Sequence, residues 1–497
     1  MMTTTLFLTL LAAASPLCAS ASEPHTDDPL TELELHEIEL GGEVIGAEVG
    51  RLRVPENRSD PESRTIELAF VRLLSTSEEP GAPLVYLPGG PGNSATPMAG
   101  SPAWLPFLEL GDVVLMDPRG VGDSEPDLLF ESSAIRSELF FADRETAVRH
   151  MADMCAEAAA SLAERGIDLR GYHTVELADD IVALADALDY DALHLMGHSY
   201  GTHLGLAILA RHPERVARFI SVGTAGLDEM MKLPADVDAS LRLLSDVVAA
   251  DATVGEAMPD LYAAFERVVA DLGEDPLPVT IRDPGSGEPT EVLLGDFGAR
   301  LIVIADIADT NDVPVFPRLI HSLENRDPSV VAWFLEKRVA QFARLPLMML
   351  AVRGASGASE ARWRTIREQG RRSPFGTSRC LFSPEADEAL ELVDLGDAFR
   401  APIESDVPTL FVSGGLDAAT PPAQAERVRR GFETSGHIVV EFAGHEDLLP
   451  DPRVQELLVA FLAGDAPEDT TLSGTPPRFV PLEGDASVFG HPALARR

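Results

Sequence analysis

The chain has 497 residues, with 39 Lys and Arg against 81 Asp and Glu, a formal net charge of −42. Its 45% hydrophobic and 24% charged content, with moderate Gly and Pro, excludes a collagen-like, disulfide-dense or wholly disordered polymer. A surface this acidic repels phosphate backbones and anionic head groups, so no nucleic acid partner is expected.

Leu6 to Ala14 is a short apolar run, followed by Ser15-Pro16 and the small-x-small stretch Ala19-Ser20-Ala21. Residues 1–21 read as a cleaved export signal, although no Lys or Arg precedes the run. A lipoprotein anchor at Cys18 is the weaker alternative, because Leu17 stands where a small residue is expected. No later stretch reaches about 18 apolar residues, so no integral membrane span is expected. Export to a secreted or periplasmic location would let Cys155 and Cys380 form a disulfide; two unrelated buried thiols is the competing reading.

Residues 22–35 are a polar, acidic lead-in. Alternating segments between Leu35 and Leu74, such as Ile66 to Val71, predict antiparallel strands. Unalternated apolar runs then recur at Leu84–Leu87, Val113–Met116, Leu193–Met196, Phe219–Val222, Thr409–Val412 and Ile438–Phe442. That is the pattern of strands buried on both faces of a parallel sheet. Helical spacing separates them, as at Leu177, Ile181, Leu184, Ala185 and Leu188. The expected fold class is therefore α/β, a mostly parallel doubly wound sheet preceded by antiparallel strands. From about Gly226 to Arg400 the strand rhythm gives way to amphipathic, helix-forming sequence, read as an inserted, mainly helical cap. The core is then 22–225 and 401–465, the cap 226–400, and the tail 466–497, whose Pro, Gly and small residues predict an extended or loosely packed segment.

The sharpest chemical signal is Gly197-His198-Ser199-Tyr200-Gly201, which follows the strand Leu193–Met196 and opens a helical stretch. This strand–turn–helix context is that of a nucleophile elbow: a tight turn flanked by glycines that projects Ser199 Oγ and offers helix N–H groups to an oxyanion. A serine needs a base to take its proton and an acid to orient that base. Asp417 lies just past the strand Thr409–Val412, and His445 just past Ile438–Phe442, both at carboxyl ends of parallel strands, where open α/β sheets build their sites. The chain order Ser199, Asp417, His445 fits a triad of this kind. His198, His203 and His437 are rival bases and Asp406 a rival acid, but none has the same strand-end placement. The loop Pro88-Gly89-Gly90-Pro91-Gly92 follows another strand, and the N–H groups of Gly90 and Tyr200 are the candidate oxyanion donors. Asp117 to Ser124 reads mainly as a structural loop held by an Arg–Asp network. Its G-x-G lacks the third glycine of a dinucleotide site. His and Cys show no metal-ligand spacing, and no cofactor is expected.

Taken together, Val54-Pro55-Glu56-Asn57, Gly89-Gly90-Pro91-Gly92, Asp117–Ser124, Gly197–Gly201, Gly414-Gly415-Leu416-Asp417 with Thr420-Pro421-Pro422, and Gly444-His445 resemble the α/β-hydrolase superfamily. More narrowly, the chain resembles the serine aminopeptidase family of proline iminopeptidases and secreted tripeptidyl aminopeptidases, over about Leu35 to Gly464. Tyr172-His173-Thr174 with Asp180 is similar to the secreted branch. The resemblance implies cleavage of amide bonds near the free N-terminus of peptides. It departs at Val352-Arg353-Gly354-Ala355-Ser356, where secreted members carry Cys-x-Glu for the substrate amine. The substrate-binding residues are therefore unassigned, and three functions compete: an exported aminopeptidase, a carboxylesterase or amidase with the same triad, and a non-catalytic binding protein of the same fold.

Overall fold

The structure is a computed structural model that describes residues 29–131, 138–378, 385–484 and 490–494. The expected export signal, Cys18 and Cys380 lie outside the described residues. Before the insertion the strands are β1 (Leu30–Leu40), β2 (Glu43–Pro55), β3 (Thr65–Leu73), β4 (Leu84–Leu87), β5 (Val113–Met116), β6 (Leu129–Glu131), β7 (Leu193–His198) and β8 (Val216–Val222). Then come β9 (Leu277–Arg282), β10 (Pro289–Leu294), β11 (Arg344–Pro346), β12 (Thr409–Gly414), β13 (Ser435–Val440) and β14 (Thr470–Leu472).

Ten of these strands form one sheet in the order β1-β2-β3-β5-β4-β7-β8-β12-β13-β14. The first three pair antiparallel, β3 joins β5 antiparallel, and every pairing from β5 to β14 is parallel. Side-chain burial explains the split. β2 alternates buried and wetter positions, whereas β4, β5 and β12 are buried throughout. In β4, Val85 and Leu87 enter one apolar cluster while Leu84 and Tyr86 enter another, so the strand has a packed layer on each face. The chain leaves β4 for β5 on one side and later returns with β7 on the other. That switch opens a crevice at the carboxyl ends of β4 and β7.

Between β8 and β12 the chain leaves the sheet and is mostly helical. The helical expectation there leaves out two strand pairs. β9 and β10 form an antiparallel hairpin, and β11 pairs with β6. The hairpin is a plain period-2 pattern, with Leu277, Val279 and Ile281 buried and the residues between them exposed. Its turn is the Asp283–Gly287 loop. The insertion has its own core around Phe265, Phe297, Phe316 and Phe334, all fully buried. Phe140, Phe141 and Met151, from sequence before β7, complete it.

The described part of the tail runs mostly extended and exposed, with a few points of attachment. β14 adds a parallel edge to β13, and Phe479 and Val480 are buried in the core of the insertion. Val480 N–H donates to the Pro314 carbonyl at 3.0 Å, and His491 Nε2 lies 2.9 Å from Asp312 Oδ1. Two apolar anchors in a Pro- and Gly-rich run leave no periodic trace, so packing alone decides the outcome.

Cys155 is a free, buried thiol, and burial pushes its pKa up to about 12. Its candidate partner Cys380 lies outside the described residues. Among the described residues no helix is long and apolar enough to cross a membrane.

Candidate active site

β7 runs through His198 into Ser199, and the helix Tyr200–Arg211 starts at the next residue. Ser199 has φ +55° and ψ −119°, a region that residues with a side chain rarely adopt. The surrounding backbone holds it there. Ser199 N–H donates to the Val222 carbonyl at 2.8 Å, and Thr202 N–H donates to the Ser199 carbonyl at 2.9 Å. A Cβ on Gly201 would stand 1.9 Å from the Leu87 carbonyl oxygen, and one on Gly197 would stand 2.4 Å from the Gly201 carbonyl oxygen. The turn therefore closes only with hydrogen at both positions. As the first helical residue, Tyr200 has an N–H without an intrahelical acceptor, at the positive end of the helix dipole.

Asp417 lies three residues beyond β12 and is fully buried. Its Oδ1 accepts the N–H groups of Ala419 at 2.8 Å and Thr420 at 2.9 Å. Its Oδ2 accepts the Thr420 hydroxyl at 2.8 Å and His445 Nδ1–H at 2.7 Å. Burial alone would raise the carboxyl pKa. The charge and hydrogen bond of His445, with the Thr420 donors, outweigh it and hold the group well below the usual carboxylate range. The pair is reciprocal: burial depresses the His445 pKa, but the Asp417 carboxylate reverses this and leaves it above the ordinary 6.5. With Nδ1–H committed to Asp417, Nε2 is the ring atom left to accept a proton. Ser199, Tyr200, Gly90 and His445 all line one cavity of about 640 Å³ at the carboxyl ends of the strands.

The Pro88–Gly92 loop forms another wall of that cavity. Gly90 has φ +110°, and a Cβ on Gly89 would come within 3.2 Å of Ser199 Cβ, so this backbone passes directly over the serine. Asp117 pins the next residues by accepting Ser94 Oγ–H at 2.6 Å and the N–H groups of Ala95 and Thr96 at 2.7 and 2.8 Å. Arg119 is completely buried and grips Asp180 with two bonds of 2.7 Å, donating also to the Gly171 carbonyl. The Asp117–Ser124 segment thus holds the wall without lining the cavity.

The rival residues fall elsewhere. His203 Nδ1–H donates to the Gly226 carbonyl at 3.1 Å, its Nε2 lies 3.2 Å from Ser356 Oγ, and burial lowers its pKa to about 4. His437 sits between Glu426 and Ser413, at 2.6 and 2.9 Å. Asp406 is exposed ahead of β12. His198 does reach the cavity, with its ring centroid 4.9 Å from that of His445. Burial, then the neighbouring imidazole, lowers its pKa, and no carboxylate among the described residues hydrogen-bonds its ring.

Sequence reasoning missed the charged part of the lining. Lys232, Arg338 and Arg353 face the cavity, and Glu446 is the lone carboxylate among its described lining residues. Lys232 had one available signal, because the chain contains only two lysines. His198, His445 and Glu446 bring potential ligand atoms within 4.8 Å of one another, but a cation there would compete for the imidazole that Asp417 orients.

Residues 82–282 match a family described as alpha/beta hydrolase fold, and residues 396–472 match the TAP-like protein family. Serine protease Hip1 of Mycobacterium tuberculosis (strain ATCC 25618 / H37Rv) is 33% identical over 187 residues, 36% of this chain and 36% of its own length. The tripeptidyl aminopeptidase of Streptomyces coelicolor is 32% identical over 188 residues, 34% of each chain. The match thus spans about a third of the length of these curated relatives. A thermophilic esterase from Thermogutta terrifontis (malate bound) aligns with 83% of this chain and 98% of its own, at TM-score 0.34 and 16% identity. Sheet order, strand-end loops and family matches together show the α/β-hydrolase fold, and the chain is similar within it to the TAP-like, serine aminopeptidase branch.

Proposed function

We propose that the chain is an exported serine hydrolase that cleaves amide bonds near the free N-terminus of peptides. In this reading Ser199 attacks the scissile carbonyl as His445 Nε2 takes its proton, and Asp417 orients and stabilises the imidazolium. The N–H groups of Gly90 and Tyr200 receive the developing oxyanion. The amine leaves with the His445 proton, and water then hydrolyses the acyl-enzyme. The observation that carries the reading is one cavity lined by a backbone-strained serine and by a histidine bonded to a buried aspartate.

Support for a peptide substrate comes from the names of the relatives and from Glu446, whose carboxylate lies beside the His445 ring, near enough to meet the ammonium of a short acyl residue. One observation favours the second reading, a carboxylesterase or amidase with the same triad: Glu446 is the lone carboxylate among the described lining residues, which also include Lys232, Arg353 and an Arg338 bonded to Asp306. A non-catalytic binding role has no use for a strained serine beside an ion-paired imidazole. Peptide arylamides with free and blocked N-termini, compared with short acyl esters, discriminate among these. The proposal expects preference for the free amine, and Glu446→Gln is expected to raise KM about tenfold for free-amine substrates while leaving blocked ones unchanged. Equal use of blocked and free peptides contradicts the aminopeptidase reading, and cleavage of esters alone selects the second.

A further inference from the structure

Acidic side chains outnumber basic ones about twofold over the chain, yet the linings of one row of neighbouring hollows reverse that balance. In the cavity of Ser199 the charged lining residues are Lys232, Arg338, Arg353 and Glu446, with Arg338 paired to the buried Asp306 at 2.8 Å. Lys232 and Ile304 of that cavity also wall a hollow of only about 10 Å³ with Phe375, Gly376 and Thr377, which separates the cavity from its neighbours. Gly376, Thr377 and the cavity residue Ser378 continue into a pocket of about 360 Å³ walled by Arg144, Arg300, Arg367 and Arg371, with no carboxylate in its lining. Arg367 and Arg371 face outward into a further pocket of about 300 Å³, where Arg364 and Arg372 join them and Glu368 is the only acid.

The outer end has a simple sequence origin. In and just beyond the helix Glu360–Gly370, Arg364, Arg367 and Arg371 recur at intervals of three and four, which puts them on one face, and Arg372 follows. All four are exposed. Pairs that offset part of the charge include Arg338 with Asp306 at 2.8 Å, Arg300 with Asp296 at 2.8 Å, Arg367 with Glu360 at 2.7 Å, and Arg372 with Glu368 at 3.9 Å. The latter two are solvent-exposed and therefore weak. The side chains of Arg364 and Arg371 make no hydrogen bond or ion pair among the described residues, and Arg144 Nε is buried without a partner.

We infer that this row of arginines is a docking rim for acidic peptides, whose carboxylates it holds on the face of the insertion beside the cavity of Ser199. The inference rests on the hydrolase reading above and adds a substrate class to it. A net charge of −42 repels an anionic substrate at long range, so an acidic substrate needs a local field of the opposite sign. Clefts lined by one sign of charge raise association rates by roughly 10- to 1000-fold, and salt screens the effect over about 10 Å at 0.1 M. Guanidinium groups also match carboxylates in two-point hydrogen bonding.

The test measures kcat/KM against ionic strength for two free-amine tripeptide arylamides that differ only in Glu against Gln. The enzymes are the wild type and the surface variant Arg364→Gln/Arg367→Gln/Arg371→Gln/Arg372→Gln, checked for an unchanged thermal midpoint. The Glu substrate is expected to be favoured about tenfold at low salt in the wild type. That advantage, read as the ratio of the two substrates, should collapse both in high salt and in the variant. Equal rates for the two substrates, a preference insensitive to salt, or a preference retained by the variant overturns the inference and leaves the hydrolase reading intact. Turnover of neither substrate by the wild type overturns both.

Discussion

The sheet and the insertion build opposite walls of one cavity, and they do it differently. The sheet wall consists of residues one to five positions beyond a strand: Gly90 after β4, Ser199 after β7 and His445 after β13, with Asp417 behind it after β12. Parallel strands deliver all their carboxyl ends to one edge, so chemistry written in short contiguous motifs converges without further instruction. The insertion wall comes from separate helices, with Leu301 and Ile304 on one, Arg338 on another, and Met349 and Arg353 on a third. Which side of each helix faces the cavity is set by packing, against the insertion's own core for the first two and against the sheet's core for the third. One wall carries the proposed reactive groups and the other carries most of the charged side chains.

The largest expected effects break the sheet wall. Ser199→Ala is predicted to lower turnover by about 10⁴-fold or more, and Asp417→Asn by about 10⁴-fold because the imidazole tautomer is no longer held. Steady-state kinetics on folded protein check both. Next in size is Gly201→Ala. Its methyl carbon would meet the Leu87 carbonyl at 1.9 Å, backbone against backbone, and the predicted cost is about 3 kcal/mol or more in urea unfolding. On the insertion side, Phe479→Ala removes a buried ring that ties the tail to that core and is predicted to cost about 3 kcal/mol. A change near zero in the same unfolding measurement would mean the tail is not docked.

The pH dependence sharpens the contrast. His445 must be neutral to accept the serine proton, and Asp417 raises its pKa above 6.5, so the protonated, inactive form persists to higher pH. kcat/KM is therefore predicted to fall as pH drops through a midpoint above 6.5, about tenfold per unit below it. In Asp417→Asn the carboxylate is gone and burial remains, so the midpoint of the residual activity should move down. A midpoint that stays put in that variant assigns the limb to another group.

Legibility in the sequence follows the same division. Leu84–Leu87 and Thr409–Val412 read directly as buried parallel strands because every residue of each is apolar or enclosed. The glycines of the elbow were legible because their steric need is local. The β9–β10 hairpin was legible too, in the alternation of Leu277, Val279 and Ile281, but it lay inside a stretch dominated by helical spacing. Phe479 and Val480 carried no local signal, since the core that buries them is built mainly from distant helices of the insertion and Val480 bonds the carbonyl of Pro314. The cavity arginines were obscured for a physical reason as well: on an exposed helix face, charge is the ordinary composition, and only the pockets between elements reveal what it faces.

The most direct test of the central claim is covalent labelling of the folded protein with a fluorophosphonate, mapped by peptide mass spectrometry. The account predicts one adduct, on Ser199, that is lost in His445→Ala and strongly slowed in Asp417→Asn. No adduct on the folded wild type, or an adduct on Ser199 that forms as fast without the His445 imidazole, would contradict it.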